Sequence, residues 1–120
     1  MNQNKPYNRL DRVNKQVLDI LSGILHKDID LNHLGFITFT KVSVSNDLRN
    51  AKVFYSIINE TMPIKSIDIA LNKHRKPFKK YMSPQLKLKS TPDLRFYHDD
   101  TLEYTEYVSK LMNNLDIRDN

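Results

Sequence analysis

Residues 64–96 read IKSIDIALNKHRKPFKKYMSPQLKLKSTPDLRF, and this stretch combines a helical pattern with most of the chain's positive charge. Pro77 lies near its middle, where a proline removes a backbone donor and disfavours helical geometry in the preceding residue. We therefore predict two helical pieces that meet at a bend near Arg75 to Pro77. The apolar residues on either side recur at steps of three and four, which places them on one side of a helical path: Ile64, Ile67, Leu71, Phe78 and Met82.

The positive charge of this stretch exceeds what solubility requires. It contains nine basic residues and two acidic ones, whereas the whole chain has a net charge of +5. Residues 1–64 have an excess of two positive charges, and residues 96–120 have an excess of four negative ones. A run of charge is often only a solvated face. Such an excess on one supersecondary unit favours a binding surface, and a polyanion is the natural partner of a positive surface.

The composition excludes several classes of protein. A length of 120 residues predicts one domain, and the absence of cysteine excludes disulfides, zinc–thiolate sites and thiol nucleophiles. Gly23 and Gly35 are too far apart to form a phosphate-cradling loop or the glycine clamp loop of many KH modules. No apolar run approaches the ~18 residues of a membrane span. We therefore expect a soluble, cytoplasmic protein with no membrane contact and no cofactor.

Outward from the central stretch, the sequence predicts an α+β domain over residues 7–115. Residues 7–27 have the apolar stripe of an amphipathic helix, and residues 36–44 and 51–58 predict an antiparallel hairpin. Residues 86–98 predict a third strand, with Pro92 at an edge or bulge, and Asp99-Asp100-Thr101 predicts the start of a last helix.

The predicted order is helix, strand, strand, bent helix, strand, helix, with the helices on one face of a three-stranded sheet. Residues 1–6 and 116–120 are expected to be flexible.

Candidate catalytic residues are few. His98, Asp99 and Asp100 form the only dense cluster of metal-ligating residue types, but adjacent residues at a strand end point in different directions. A strand end followed by a helix cap is the favoured interpretation. We predict no metal site and no catalytic site, and a small hydrolase using His98 and Asp99 is the least favoured alternative.

Phosphate binding requires only lysines and arginines on a rigid platform, and the chain provides them. Lys76, Lys79 and Lys80 are expected to leave the bent helix close together, and Lys87 and Lys89 to share one face of the following strand. Aromatic residues could add base stacking, although each could equally be packing: Phe54, Tyr81 and Tyr97. The candidate RNA-binding residues are Arg9, Arg12, Lys15, Lys73, Arg75, Lys76, Lys79, Lys80, Lys87 and Lys89.

Several short motifs resemble ribosome-binding factor A, a family of bacterial small-subunit assembly factors. The most specific is VSNDLRNAKV at residues 44–53. The resemblance covers about residues 7–115. The other matches are Arg12-Val13, Leu34-Gly35 with Thr38, Pro92-Asp93-Leu94-Arg95-Phe96 and Asp99-Asp100-Thr101.

The resemblance implies a KH-like domain of the second type, in which a helix–kink–helix bearing Ala-x-Gly replaces the clamp loop. This chain has His74-Arg75-Lys76 at the corresponding positions, so we attribute the bend to Pro77.

The resemblance also implies the function of a non-catalytic monomer. Its partners would be the immature small (30S) ribosomal subunit and 16S rRNA near the decoding region. It would assist maturation of the 16S rRNA 5′ end and growth in the cold, and it would leave when a ribosomal GTPase acts. The alternative is a protein-interaction module that docks a protein partner through its sheet face or last helix.

Overall fold

The structure is a computed structural model that describes residues 8–100 and, beyond them, residue 111. The predicted flexible termini and the predicted last helix lie outside the described residues, apart from Leu111, which is helical. Short 3₁₀ turns at Asn32–Leu34 and Ser83–Gln85 connect the main elements. These elements are α1 (Arg9–Lys27), β1 (Phe36–Val44), β2 (Asn50–Ile58), α2 (Ile64–Asn72), α3 (Arg75–Met82) and β3 (Asp93–His98).

The first helix confirms the predicted amphipathic stripe. It begins at Arg9 because the side chain of Asn8 accepts a hydrogen bond from the backbone N–H of Asp11 at 2.8 Å, which satisfies one of the free donors of the first turn. One stripe of α1 is buried against the sheet and α3: Val13, Val17, Leu21 and Ile24.

The sheet has the strand order β1-β2-β3, with β1 antiparallel and β3 parallel to β2. The parallel pairing is possible because α2 and α3 form the crossover between β2 and β3. The register of β1 shifts between Phe39 and Lys41, which leaves Thr40 as an extra residue and allows Phe39 and Val42 both to face the core. The buried side chains of the strands lie under the helices, so the predicted α+β class with helices on one face is confirmed.

Three phenylalanines join the helices to the sheet at the centre of the core. The ring of Phe78 on α3 lies 5.8 Å from that of Phe39 and 5.3 Å from that of Phe96, and the latter two stack at 5.6 Å. Nearby, the hydroxyl of fully buried Tyr55 donates a hydrogen bond to the carboxylate of Asp68 on α2. Burial and this hydrogen bond raise the pKa of Tyr55 well above its usual value.

The bend between α2 and α3 falls at Lys73–His74, directly before the region near Arg75 to Pro77 where the sequence predicts it. The reason is that a proline ring clashes with the carbonyl four residues earlier, which here belongs to Lys73. With the helix interrupted there, Pro77 occupies the first turn of α3, where a backbone N–H has no helical partner in any case. Lys76, predicted to leave helical geometry, is within α3.

The third strand begins at Asp93, so the prediction of a strand from Leu86 is wrong. The backbone hydrogen bonds of this segment are local: the N–H of Leu86 donates to the carbonyl of Met82, and the N–H of Leu88 donates to the carbonyl of Leu86. Leu86 and Leu88 therefore pack against the core from an irregular segment, and their even spacing resembles a strand only in sequence. Across residues 8–100, no helix has the length and hydropathy needed to cross a lipid bilayer.

Candidate nucleic-acid interface

An open groove of about 560 Å³ lies between α3 and one of the two edge strands of the sheet, β3. One wall is helical and the other consists of strand residues, among them Tyr97. We call this site the basic groove, defined by its five cationic residues: Lys52, Arg75, Lys76, Lys79 and Arg95.

Two further depressions share residues with the basic groove and extend it. Lys76 and Lys79 continue, with Lys80, onto the surface beside Pro84. Arg75 and Arg95 continue, with Lys73, onto the surface beside α2. The bend between the helices thus places positive side chains along one continuous surface, as a backbone of phosphates requires.

The groove contains one acidic side chain, Asp93, which is also the only acidic residue in the three strands. Its carboxylate lies 2.7 Å from the ammonium of Lys79. This hydrogen bond and the charge of Lys79, together with the more distant charge of Arg75, lower the pKa of Asp93. An exposed pair of this kind contributes little to stability, but it neutralises one of the five groove cations.

The other groove cations form no ion pair with any residue in the described part of the chain. Lys52 and Arg95 are side by side in the β2–β3 register, and both are exposed. Like charges on neighbouring strand positions destabilise a sheet. This arrangement gives nothing to folding and suits an anionic ligand.

The side chain of Asn72 joins α2 to β3 and so fixes one end of the groove. Its amide N–H donates to the carbonyl of Phe96 at 2.9 Å, and its carbonyl accepts from the N–H of Phe96 at 2.8 Å. The amide also donates to the carbonyl of Asp68, one turn earlier in α2. One side chain therefore satisfies both outward-facing backbone groups of a strand residue.

We expect Asn72→Ala to lower the free energy of unfolding by about 1–3 kcal/mol, because it leaves two partly buried backbone groups of Phe96 without partners. Hydrogen exchange measures this locally: the amide of Phe96 should exchange faster, while that of fully buried Val53 serves as the internal control. An unchanged rate at Phe96 would contradict the assigned role of Asn72.

The remaining candidate RNA-binding residues do not line the basic groove. The prediction that Lys87 and Lys89 share one face of a strand is wrong, because both are in the irregular segment before β3. The first two turns of α1 also carry three exposed cations, Arg9, Arg12 and Lys15. The ammonium of Lys15 lies 3.4 Å from the carboxylate of Asp19. RNA binding by these five residues, as by the other five candidates, stays a prediction.

Lys52 and Arg95 were missing from the candidate set predicted from sequence. Alternation along the strands carries the signal, since Lys52 lies between buried Ala51 and Val53, and Arg95 between buried Leu94 and Phe96. The pattern places each cation on the solvent face of its strand. It does not reveal that the two strands are adjacent and parallel, which is what brings the cations together.

The side chains of His98 and Asp99 have structural partners. The ring of His98 packs edge-on against Tyr55 at 5.4 Å, and the carboxylate of Asp99 accepts a hydrogen bond from Thr40 at 2.6 Å. Among residues 8–100, no three histidine or acidic side chains are grouped so that they could hold a metal ion.

Known proteins resemble this chain over most of its length. A family model described as ribosome-binding factor A matches residues 9–112. A ribosome-binding factor A from Geobacter metallireducens is 31% identical over 109 residues, which cover 91% of this chain and 92% of that protein.

Solved structures share the fold. A putative ribosome-binding factor A from Thermotoga maritima has a TM-score of 0.67 at 28% identity, covering 82% of this chain and 94% of its own. A Thermus thermophilus ribosome-binding factor A, a homology model fitted into a cryo-electron-microscopy map of a 30S complex, has a TM-score of 0.56 at 15% identity. It covers 70% of this chain and 88% of its own, and this similarity shows the fold alone.

Proposed function

Because this chain belongs to the ribosome-binding factor A family, we propose that it binds the small ribosomal subunit as an assembly factor, with the basic groove holding 16S rRNA. Membership of the family supports the choice of partner, because the family's name states ribosome binding and its Thermus thermophilus member has been fitted into a map of a 30S complex. In this role the protein acts in the cytoplasm as a monomer that binds and does not catalyse.

The observation that carries this proposal is the composition of the basic groove. Its cations come from three elements, α3, β2 and β3, and only Lys79 has a carboxylate partner among the described residues. Phosphate oxygens would supply the missing negative charge and relieve the repulsion between Lys52 and Arg95. The binding residues we propose are Lys52, Lys73, Arg75, Lys76, Lys79, Lys80 and Arg95.

The consequence of binding that we propose is assistance with maturation of the 16S rRNA 5′ end, which supports growth in the cold. Release would be coupled to a ribosomal GTPase. A protein held mainly by phosphate contacts suits such a cycle, because its affinity depends on the exposure of the rRNA backbone in the immature subunit.

Sedimentation tests the proposed partner directly. In a cell extract fractionated on a sucrose gradient, we expect the protein to travel with free small subunits and not with translating ribosomes. Its absence from the small-subunit fractions at low salt would contradict the proposal.

Salt dependence tests the proposed mode of binding. With about four phosphate contacts, log K should fall against log salt with a slope of about −2.8 to −3.6, a loss of roughly 50- to 150-fold between 50 and 200 mM. Binding that is insensitive to salt would instead favour docking on a ribosomal protein through apolar contacts.

A further inference from the structure

The solvent face of the sheet carries a second set of residues next to the basic groove. The β-ladder places Phe54 beside Lys41 on one side and beside Tyr97 on the other, and Lys52 beside Arg95 in the neighbouring row. We call these five residues the open sheet face. A row of aromatic rings thus lies beside a row of cations.

The rings of the open sheet face are accessible. Phe54 is half-buried and Tyr97 is 36% exposed, and their centroids are 5.8 Å apart with an angle of 31° between the planes. The ammonium of Lys41 lies 5.9 Å from the centroid of Phe54. The core phenylalanines lie on the opposite face, so the core does not account for this pair.

The open sheet face is continuous with the basic groove. Lys52, Arg95 and Tyr97 belong to both, because they line the strand wall of the groove. An RNA strand whose phosphates follow the groove cations would therefore have bases within reach of the tyrosine ring. A duplex buries its bases in the stack, so only unpaired nucleotides can use this surface.

We propose that the open sheet face binds unpaired nucleotides of single-stranded RNA. Their bases stack on Tyr97 and Phe54, and their phosphates pair with Lys41, Lys52 and Arg95. Charge complementarity selects this occupant: the strands contain three cations on this face and a single carboxylate, that of Asp93, which already pairs with Lys79. Exposed aromatics between cations are the features that single-strand binders share. The proposal deepens the proposed function, on which its assignment to rRNA rests.

A fluorescein-labelled uridine octamer provides the test by fluorescence anisotropy. Tyr97→Leu removes the ring but keeps an apolar side chain, and it should weaken binding of the octamer by about tenfold. Tyr97→Phe keeps the ring and should bind as the wild type does. Phe54→Leu should also weaken binding of the octamer. If Phe54→Leu does not fold, Tyr97→Leu is sufficient for the test, because Tyr97 is on the surface.

Phe36→Leu is the matched control, since Phe36 is 65% exposed but lies at the start of β1, outside both the basic groove and the five residues of the open sheet face. An octamer of abasic ribose phosphates keeps the charges and lacks the bases, so it should bind the wild type at least tenfold more weakly than the uridine octamer does. Because it has no base to stack, it should bind the wild type and Tyr97→Leu with equal affinity. Equal octamer affinities of wild type and Tyr97→Leu, or equal losses in Tyr97→Leu and Phe36→Leu, would overturn the proposal.

Co-sedimentation of the same variants with small subunits separates the two proposals. If the wild type binds small subunits but Tyr97→Leu does not change the affinity for the octamer, only the role of the open sheet face is refuted. If the wild type binds the octamer through Tyr97 but does not bind small subunits, only the proposed function is refuted.

Discussion

The double variant Lys52→Glu/Lys76→Glu is expected to bind small ribosomal subunits roughly 100-fold more weakly than the wild type, or worse, at physiological salt. The two residues come from opposite walls of the basic groove, and neither has an acidic partner among the described residues. Each reversal removes a charge-assisted hydrogen bond to phosphate, worth about 1.5–3 kcal/mol, and adds repulsion. Quantitative co-sedimentation on purified subunits measures the loss.

The same variant should fold as the wild type does. Both side chains are exposed, and a glutamate at position 52 would stand beside Arg95, which replaces a repulsive pair by an attractive one. Circular dichroism and thermal unfolding should therefore be unchanged or slightly improved. A fall in the melting temperature would mean that Lys52 or Lys76 stabilises the fold through an interaction other than the contacts described above.

Lys27→Glu/Lys65→Glu is the matched control. It changes the net charge equally, and both lysines are exposed and lie outside the basic groove. Because charges are screened beyond about 8 Å at physiological salt, this variant should keep most of the affinity. An equal loss in both double variants would show that binding depends on overall charge and not on the groove.

Phe78→Ala should produce the largest loss of stability, about 3–5 kcal/mol in the free energy of unfolding. The side chain is fully buried and joins α3 to the sheet through Phe39 and Phe96, so its removal leaves a cavity where three elements meet. Domains of this size are stable by only about 5–15 kcal/mol, so the variant should be marginal at 37 °C. Urea unfolding at 10 °C measures the difference.

Tyr81→Ala on the same helix is the control, because it changes helix propensity and aromatic content alike but empties no part of the core. It should cost about 1 kcal/mol or less. A comparably small effect of Phe78→Ala would mean that α3 does not depend on the phenylalanine cluster for its position, and the helical wall of the groove would then lack its anchor.

The sequence predicts most of the architecture because its periodicities are clear. The stripes of α1 and α2, the hairpin and the position of the helical break within two residues all follow from local patterns. The start of β3 was misjudged because alternating leucines in an irregular segment look like a strand. The bulge at Thr40 has no local signal, since it depends on pairing with β2.

The candidate site was only partly predictable for a related reason. The cations of α3 are neighbours along one helix, so sequence alone brings Arg75, Lys76 and Lys79 together. Lys52 and Arg95 come together through a parallel pairing of strands that are far apart in the chain. Charge counted along the sequence cannot show which distant cations share a wall of the groove.

The contact between Asn72 and Phe96 also limits self-association. An outermost strand normally offers free N–H and C=O groups to another chain, which is the usual route to fibril-like aggregation. In β3 the amide of Asn72 occupies both groups of the central residue, so no additional strand can pair there without first displacing α2. Because Asn72 already occupies the two outward-facing groups of Phe96, the row of donors and acceptors that β3 offers to another chain is interrupted at its centre.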